Sequence, residues 1–136
     1  MAIIYKITHK ETNKAYIGAS RQSLARVRRM HINEGKKYNG VPSPSINWHL
    51  KQEGVAGFSF EILKEVPNRE QDYWEAYYIA HFNTFHEGYN TTIDGKPHTK
   101  YETQLMREGK WKPIVHPTIT AMYLWYMKGI VLEDNE

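Results

Sequence analysis

The chain predicts a small α+β domain, a three-stranded and mainly antiparallel sheet flanked by helices, followed by a C-terminal helical extension. Three observations carry that expectation. Two β-rich runs, at 2–8 and 15–18, flank the turn-forming stretch ETNK at 11–14. A third run, GFSFEILKEV at 57–66, alternates apolar and polar residues. Segments with helical spacing lie between and after these runs, so the order is strand, strand, helix, helix, strand, helix. With 136 residues and no cysteine, the chain has room for one core and no means of building disulfides, zinc ribbons or thiol nucleophiles.

Taken in order, the first two runs make a β-hairpin that Gly18 ends. A basic helix follows over 22–34, with Leu24, Val27 and Met30 among cations and Gly35 placed to stop it. NGVPSPS reads as a loop, and INWHLKQE as a short helix closed by Gly54. In the third strand Phe58, Phe60 and Ile62 are expected on one face. Asn68 offers an N-cap, with Gln71 three residues on as in a capping box, opening a helix through REQDYWEAYYIAHF. The organisation expected is a first domain over 1–93 and, over 94–136, a basic linker with an apolar helix, TITAMYLWYMKG, that must be covered by the first domain or by a second copy. A homodimer through that helix is one expectation. The chain shows no leader and no apolar run of the roughly 18 residues a membrane span needs, so a cytoplasmic protein without membrane contact is expected.

Net charge is only +3, but residues 1–40 hold nine Lys/Arg against two Glu, whereas 41–93 hold three against seven acids. A second basic cluster contains Lys96, Lys100, Arg107, Lys110 and Lys112 against Glu102 and Glu108, interleaved with Tyr101 and Trp111. Such mixtures suit phosphate backbones and exposed bases, so Lys14, Arg21, Arg28, Arg29, Lys36 and Lys37, with the second cluster, are candidate nucleic-acid contacts. A solvated surface is the plainer account of either run alone.

Glu75, Tyr78, Ile79 and Phe82 share one helical stripe, which turns a carboxylate toward the core. A buried carboxylate is paired with a cation, bound to a metal or protonated, because burying it alone costs several kcal/mol. An ion pair with Arg26 is the first expectation, with Arg28 and Arg29 as rivals.

These elements resemble the GIY-YIG nuclease family. The resemblance rests on IIY, a spacer, NKAYIGAS, Arg26 eight residues after Gly18, then YWEAYYIAHFNT and EGYN, and covers residues 1–93. It is closest to the phage-borne, homing-type members. It implies a metal-assisted phosphodiester hydrolase acting on DNA. Glu75 matches the metal-binding glutamate of the family and implies magnesium, or manganese in its place. Arg26 matches the arginine that stabilises the transition state. Tyr5 and Tyr16 match the two motif tyrosines that position or activate water, and their phenols are expected to be made more acidic by Arg26 and Lys14. Asn90 matches a residue that organises the site.

The pattern departs from the family in two places within that span. Ile3 stands where the first motif glycine belongs. Met30 stands where many members carry a histidine four residues after the arginine, and His31 lies one further on. Five residues along a helix rotate a side chain by about 140°, so His31 should face with Leu24 and Val27. Tyr38, His49 and Lys14 are other candidates for its role. The extension also matches no expected DNA-recognition module. Met30 keeps open a nucleic-acid-binding module that has lost cleavage, and the apolar helix keeps open an interaction protein.

Overall fold

The computed structural model describes residues 1–38 and 44–110. Three antiparallel strands form the sheet, β1 (Ala2–His9), β2 (Ala15–Ser20) and β3 (Phe58–Val66), in the order β2-β1-β3. Asn13 turns the hairpin at φ 66°, a conformation asparagine tolerates better than most residues. The β1 and β2 registers bring Tyr5 opposite Gly18 and Ile7 opposite Tyr16.

Helices α1 (Leu24–Gly35) and α2 (Ile46–Glu53) cover one face of the sheet, where Ile3, Tyr5, Ile7, Val27, Leu50 and Phe58 form a core. Helix α3 (Gln71–Phe82) covers the other, over Ala2, Ile4, Ile17, Val66 and Ile79. The strands are buried on alternate faces because side chains alternate along β1, with Ile4 and Ile7 both fully enclosed on opposite sides. Ser23 caps α1 by accepting from the Arg26 N–H, and Ser45 caps α2 by accepting from the Asn47 N–H. Gly54, at φ 86°, ends α2 as expected.

Three local expectations change. The partners of β1 jump from Lys64 at Ile4 to Ile62 at Tyr5, so Leu63 is an extra residue in β3. The alternation therefore slips: Leu63 packs with the α3-side core, and Ile62 is 44% exposed instead of sharing a buried face with Phe58. Asn68 does not cap α3; residues Asn68–Glu70 form a 3-10 turn, and Glu70 precedes the helix with no side-chain cap. Residues after 93, expected as a linker, contain α4 (Lys100–Arg107), opened by a Thr99–Glu102 capping box. Met106 of α4 enters the α3-side core, and Arg107 donates to the Phe85 carbonyl at 2.8 Å. The apolar segment TITAMYLWYMKG, Lys112 and Trp111 lie outside the described residues. No helix among the described residues is long and apolar enough to cross a membrane.

Candidate active site

Tyr5 and Tyr16 stand on neighbouring strands with ring centroids 6.3 Å apart, and the His31 imidazole meets both, at 5.8 and 5.6 Å. The Tyr5 ring lies directly across the β2 backbone at Gly18. A Cβ there would stand 2.3 Å from both Tyr5 Cζ and its hydroxyl oxygen, so only glycine permits this placement. The Tyr5 hydroxyl is 2.8 Å from His31 Nε2, and His31 Nδ1 is 2.6 Å from Asn47 Oδ1 on α2. His31 is buried on the Val27 side of α1, the face its position in the helix dictates. That face is where the two tyrosines converge.

Glu75 is nearly enclosed, at 9% exposure. Burial drives its pKa up to about 8, with Asp72 and Asp94 adding to the rise and Lys96 opposing it. Among the described residues its carboxylate makes no ion pair, so the expected pairing with Arg26 is not what meets the charge. The opposing cation is Lys96, whose ammonium is held 2.6 Å from Asp72. Gly95, at φ 75°, passes so close that a Cβ would stand 2.5 Å from Glu75 Cδ. The 94–98 turn is fastened there by His98 to Asp94, at 2.9 Å. A recess of about 250 Å³ opens beside it, lined by Tyr16, Asn90, Thr91, Gly95, Lys96 and Pro97 among others.

Both phenols are the reverse of the acidic pair expected. Burial pushes Tyr16 up to about 12 and Tyr5 higher still, and the nearby Glu75 charge raises both. Neither Arg26 nor Lys14 counters this. Burial lowers the pKa of His31, keeping its imidazole neutral near pH 7, while the Asn47 hydrogen bond and the Glu34 charge act the other way.

Asn90 is committed to structure. Its Oδ1 accepts from the Ile17 N–H at 2.8 Å and from Thr84 Oγ1 at 2.6 Å, and its Nδ2 donates to the Ile17 carbonyl at 3.0 Å. It therefore fixes the stretch of β2 that carries Tyr16 without touching the phenols. Gly88 serves the same join: a Cβ would stand 2.3 Å from the Ala15 carbonyl, which accepts from the Tyr89 N–H at 2.8 Å.

The remaining basic candidates are dispersed. Arg26 is exposed and lines, with Gln22, Arg29, Met30, Asn33 and Glu34, a separate recess of about 320 Å³. Arg28 lies over the Phe60 ring at 5.7 Å. Arg21 donates to Gln71 at 3.3 Å, Lys37 pairs with Glu34 at 2.9 Å and Lys110 with Glu108 at 3.5 Å. Lys14, Lys36 and Lys100 are exposed; Lys14 and Lys6 line a third recess of about 410 Å³. Of the other stand-ins for the family histidine, His49 is tied to Glu53 at 2.9 Å and Tyr38 lies beyond the end of α1. Asn47, Thr84, Asp94 and Gly95 were not legible as site residues. The only sequence hint was the DGK turn shortly after GYN.

The description GIY-YIG catalytic domain matches residues 1–90. Among solved structures, the catalytic domain of homing endonuclease I-TevI is 25% identical, with a TM-score of 0.55 over 66% of this chain and 97% of that one. A glutamate-to-alanine mutant of the I-TevI catalytic domain, described as an intron endonuclease, is 26% identical, with a TM-score of 0.56 over 72% of this chain and 100% of that one. No curated protein matches the chain.

Proposed function

This chain belongs to the GIY-YIG family and is a nuclease of homing-endonuclease type, and from that premise we propose that it is a divalent-metal-dependent DNA endonuclease whose reacting groups are Tyr5, Tyr16, His31 and Glu75. The observation that carries the assignment is the meeting of a buried phenol, a partly buried one and a neutral imidazole within electrostatic reach of an enclosed carboxyl that no ion pair among the described residues neutralises.

The donor set fits magnesium. No group of three ligating side chains occurs among the described residues, so a site that demands several protein ligands is not supported there. Magnesium is commonly held by one or two carboxylates and completed by water and substrate phosphate, and Glu75 is an enclosed carboxyl that a cation would draw into its ionised form. Manganese has the same preference for oxygen ligands. A cation held by Glu75 would supply charge stabilisation for the phosphoryl group and the leaving oxygen.

The chain's own groups handle the proton. A free phenolate is out of reach at neutral pH, since Tyr5 is held far above its ordinary value near 10. Its hydroxyl does, however, adjoin His31 Nε2. As the Tyr5 oxygen takes a proton from the attacking water, the Tyr5 proton passes to His31, leaving a neutral phenol and an imidazolium; the water oxygen bonds to phosphorus while the bond from phosphorus to the leaving sugar oxygen breaks, and that oxygen departs with the electron pair. Tyr16 orients a phosphate oxygen from the adjacent strand. Arg26, exposed on α1, meets the phosphate once DNA is seated and stabilises the added charge of the transition state. Asn90 keeps β2 in place. The cations of α1 and Lys14, Lys96 and Lys100 meet the backbone.

Incubation with supercoiled plasmid tests the reading. Nicking with Mg²⁺, none with chelator, and none from a folded Glu75→Ala variant are expected. Salt-dependent DNA binding with no product in any metal would mean that the scaffold has lost cleavage. Nicking that survives Glu75→Ala would place the chemistry elsewhere.

A further inference from the structure

We propose that Asn47 is a positioning residue of this proton relay, its side-chain oxygen holding His31 as the tautomer protonated at Nδ1 and so reserving Nε2 for the Tyr5 proton. The mechanistic part rests on the nuclease reading above; the tautomer assignment does not.

A neutral imidazole carries one ring proton, and the partner of each nitrogen decides where it sits. Asn47 Oδ1 has no hydrogen to give, so at 2.6 Å it draws the proton to Nδ1. Nε2 is then an acceptor, and the Tyr5 hydroxyl at 2.8 Å is its donor. With the opposite tautomer, Nε2–H would donate to the Tyr5 oxygen and no lone pair would remain to receive a proton from it.

The fold is arranged to bring this amide within reach. Gly35 at the end of α1 passes the α2 backbone so closely that a Cβ would stand 2.6 Å from the Asn47 carbonyl oxygen. Ser45, immediately before α2, caps it by accepting from the Asn47 N–H at 3.1 Å. The groups that face His31 are Tyr5 from β1, Tyr16 from β2, Asn47 from α2 and, on its own helix, Glu34. Of these only Glu34 bears on the ring through charge, raising its pKa. The amide therefore orients the ring without adding a charge, and its hydrogen bond favours the proton that the ring receives.

Two measurements on the full chain test this. Ring ¹⁵N shifts of His31 should report the Nδ1–H tautomer in the wild type and a shift toward Nε2–H in Asn47→Ala. Single-turnover nicking of plasmid should fall about tenfold or more in Asn47→Ala with DNA affinity unchanged, a part of the roughly 10²–10⁴-fold that a positioned general base contributes. Asn47→Asp, which keeps the shape and the acceptor, should retain the Nδ1–H tautomer and move the acid limb of the pH–rate profile to higher pH. An Nε2–H tautomer in the wild type, or an acid limb unmoved in Asn47→Asp, overturns the proposal. If the wild type shows the Nδ1–H tautomer and cuts nothing, the nuclease reading fails while the hold of Asn47 on the ring stands.

Discussion

Gly18 shows how much of this site is set by an absent methyl group. In Gly18→Ala the Tyr5 ring must leave its place, because the new carbon would lie 2.3 Å from it. Overpacking of this kind costs about 1–3 kcal/mol, read by urea unfolding, and nicking should be lost more severely than stability. Asn90→Ala acts differently: it leaves the Ile17 N–H and C=O without partners, a loss of about 2–4 kcal/mol by the same measurement. Arg26 makes no ion pair among the described residues, so Arg26→Ala should leave the melting temperature unchanged. It should slow nicking by about 10²–10³-fold, the usual effect of removing one transition-state donor.

At the scale of elements, the sequence showed the strands, α1 and α2, because apolar spacing and a turn residue or glycine mark them, and it showed the inward placement of Glu75 and Ile79 on α3. What it hid follows from contacts made across elements. The bulge at Leu63 depends on the register with β1, and neither strand alone records it. Glu75 was legible as an acid on the inner stripe, but its neighbours Gly95 and Lys96 come from a turn twenty residues on. His31 was placed on the right face by helical rotation, yet its partners could not be read, since Asn47 reaches it only through the close α1–α2 approach at Gly35. Helix α4 was missed although Thr99 and Glu102 spell out a capping box, because its eight residues lie within a polar, basic stretch that reads as a linker. Met106→Ala should nevertheless cost about 2–5 kcal/mol in urea unfolding, the range for emptying a packed core position.

For the whole molecule, the enclosed titratable groups make stability depend on pH in a defined direction. In metal-free protein Glu75 binds its proton more tightly folded than unfolded, with pKa values of about 8 and 4.5. Its contribution is therefore full below pH 4.5 and is lost as pH rises through 8. His31 works in the other direction, since its folded pKa lies below 6.5; its contribution is present above 6.5 and lost on acidification. Between pH 6.5 and 8 the glutamate dominates, so the melting temperature of the metal-free protein should fall across that window. Glu75→Gln should flatten the decline, and Mg²⁺ should reverse it in the wild type alone. Calorimetry at fixed ionic strength checks all three outcomes. The two phenols, raised by burial, should stay silent in ultraviolet titration until well past pH 10.

The bonds that Asn90 and Tyr89 make to β2 have one more consequence. A strand at the margin of a sheet offers free amides to any other extended chain, and such margins seed aggregation. Here the outward N–H and C=O of Ile17 and the outward C=O of Ala15 are already engaged, so the Ala15–Ile17 stretch of the β2 ladder is closed to a foreign strand. Loss of the asparagine side chain would expose that ladder, and thioflavin-positive fibres would be its signature long before the protein unfolds.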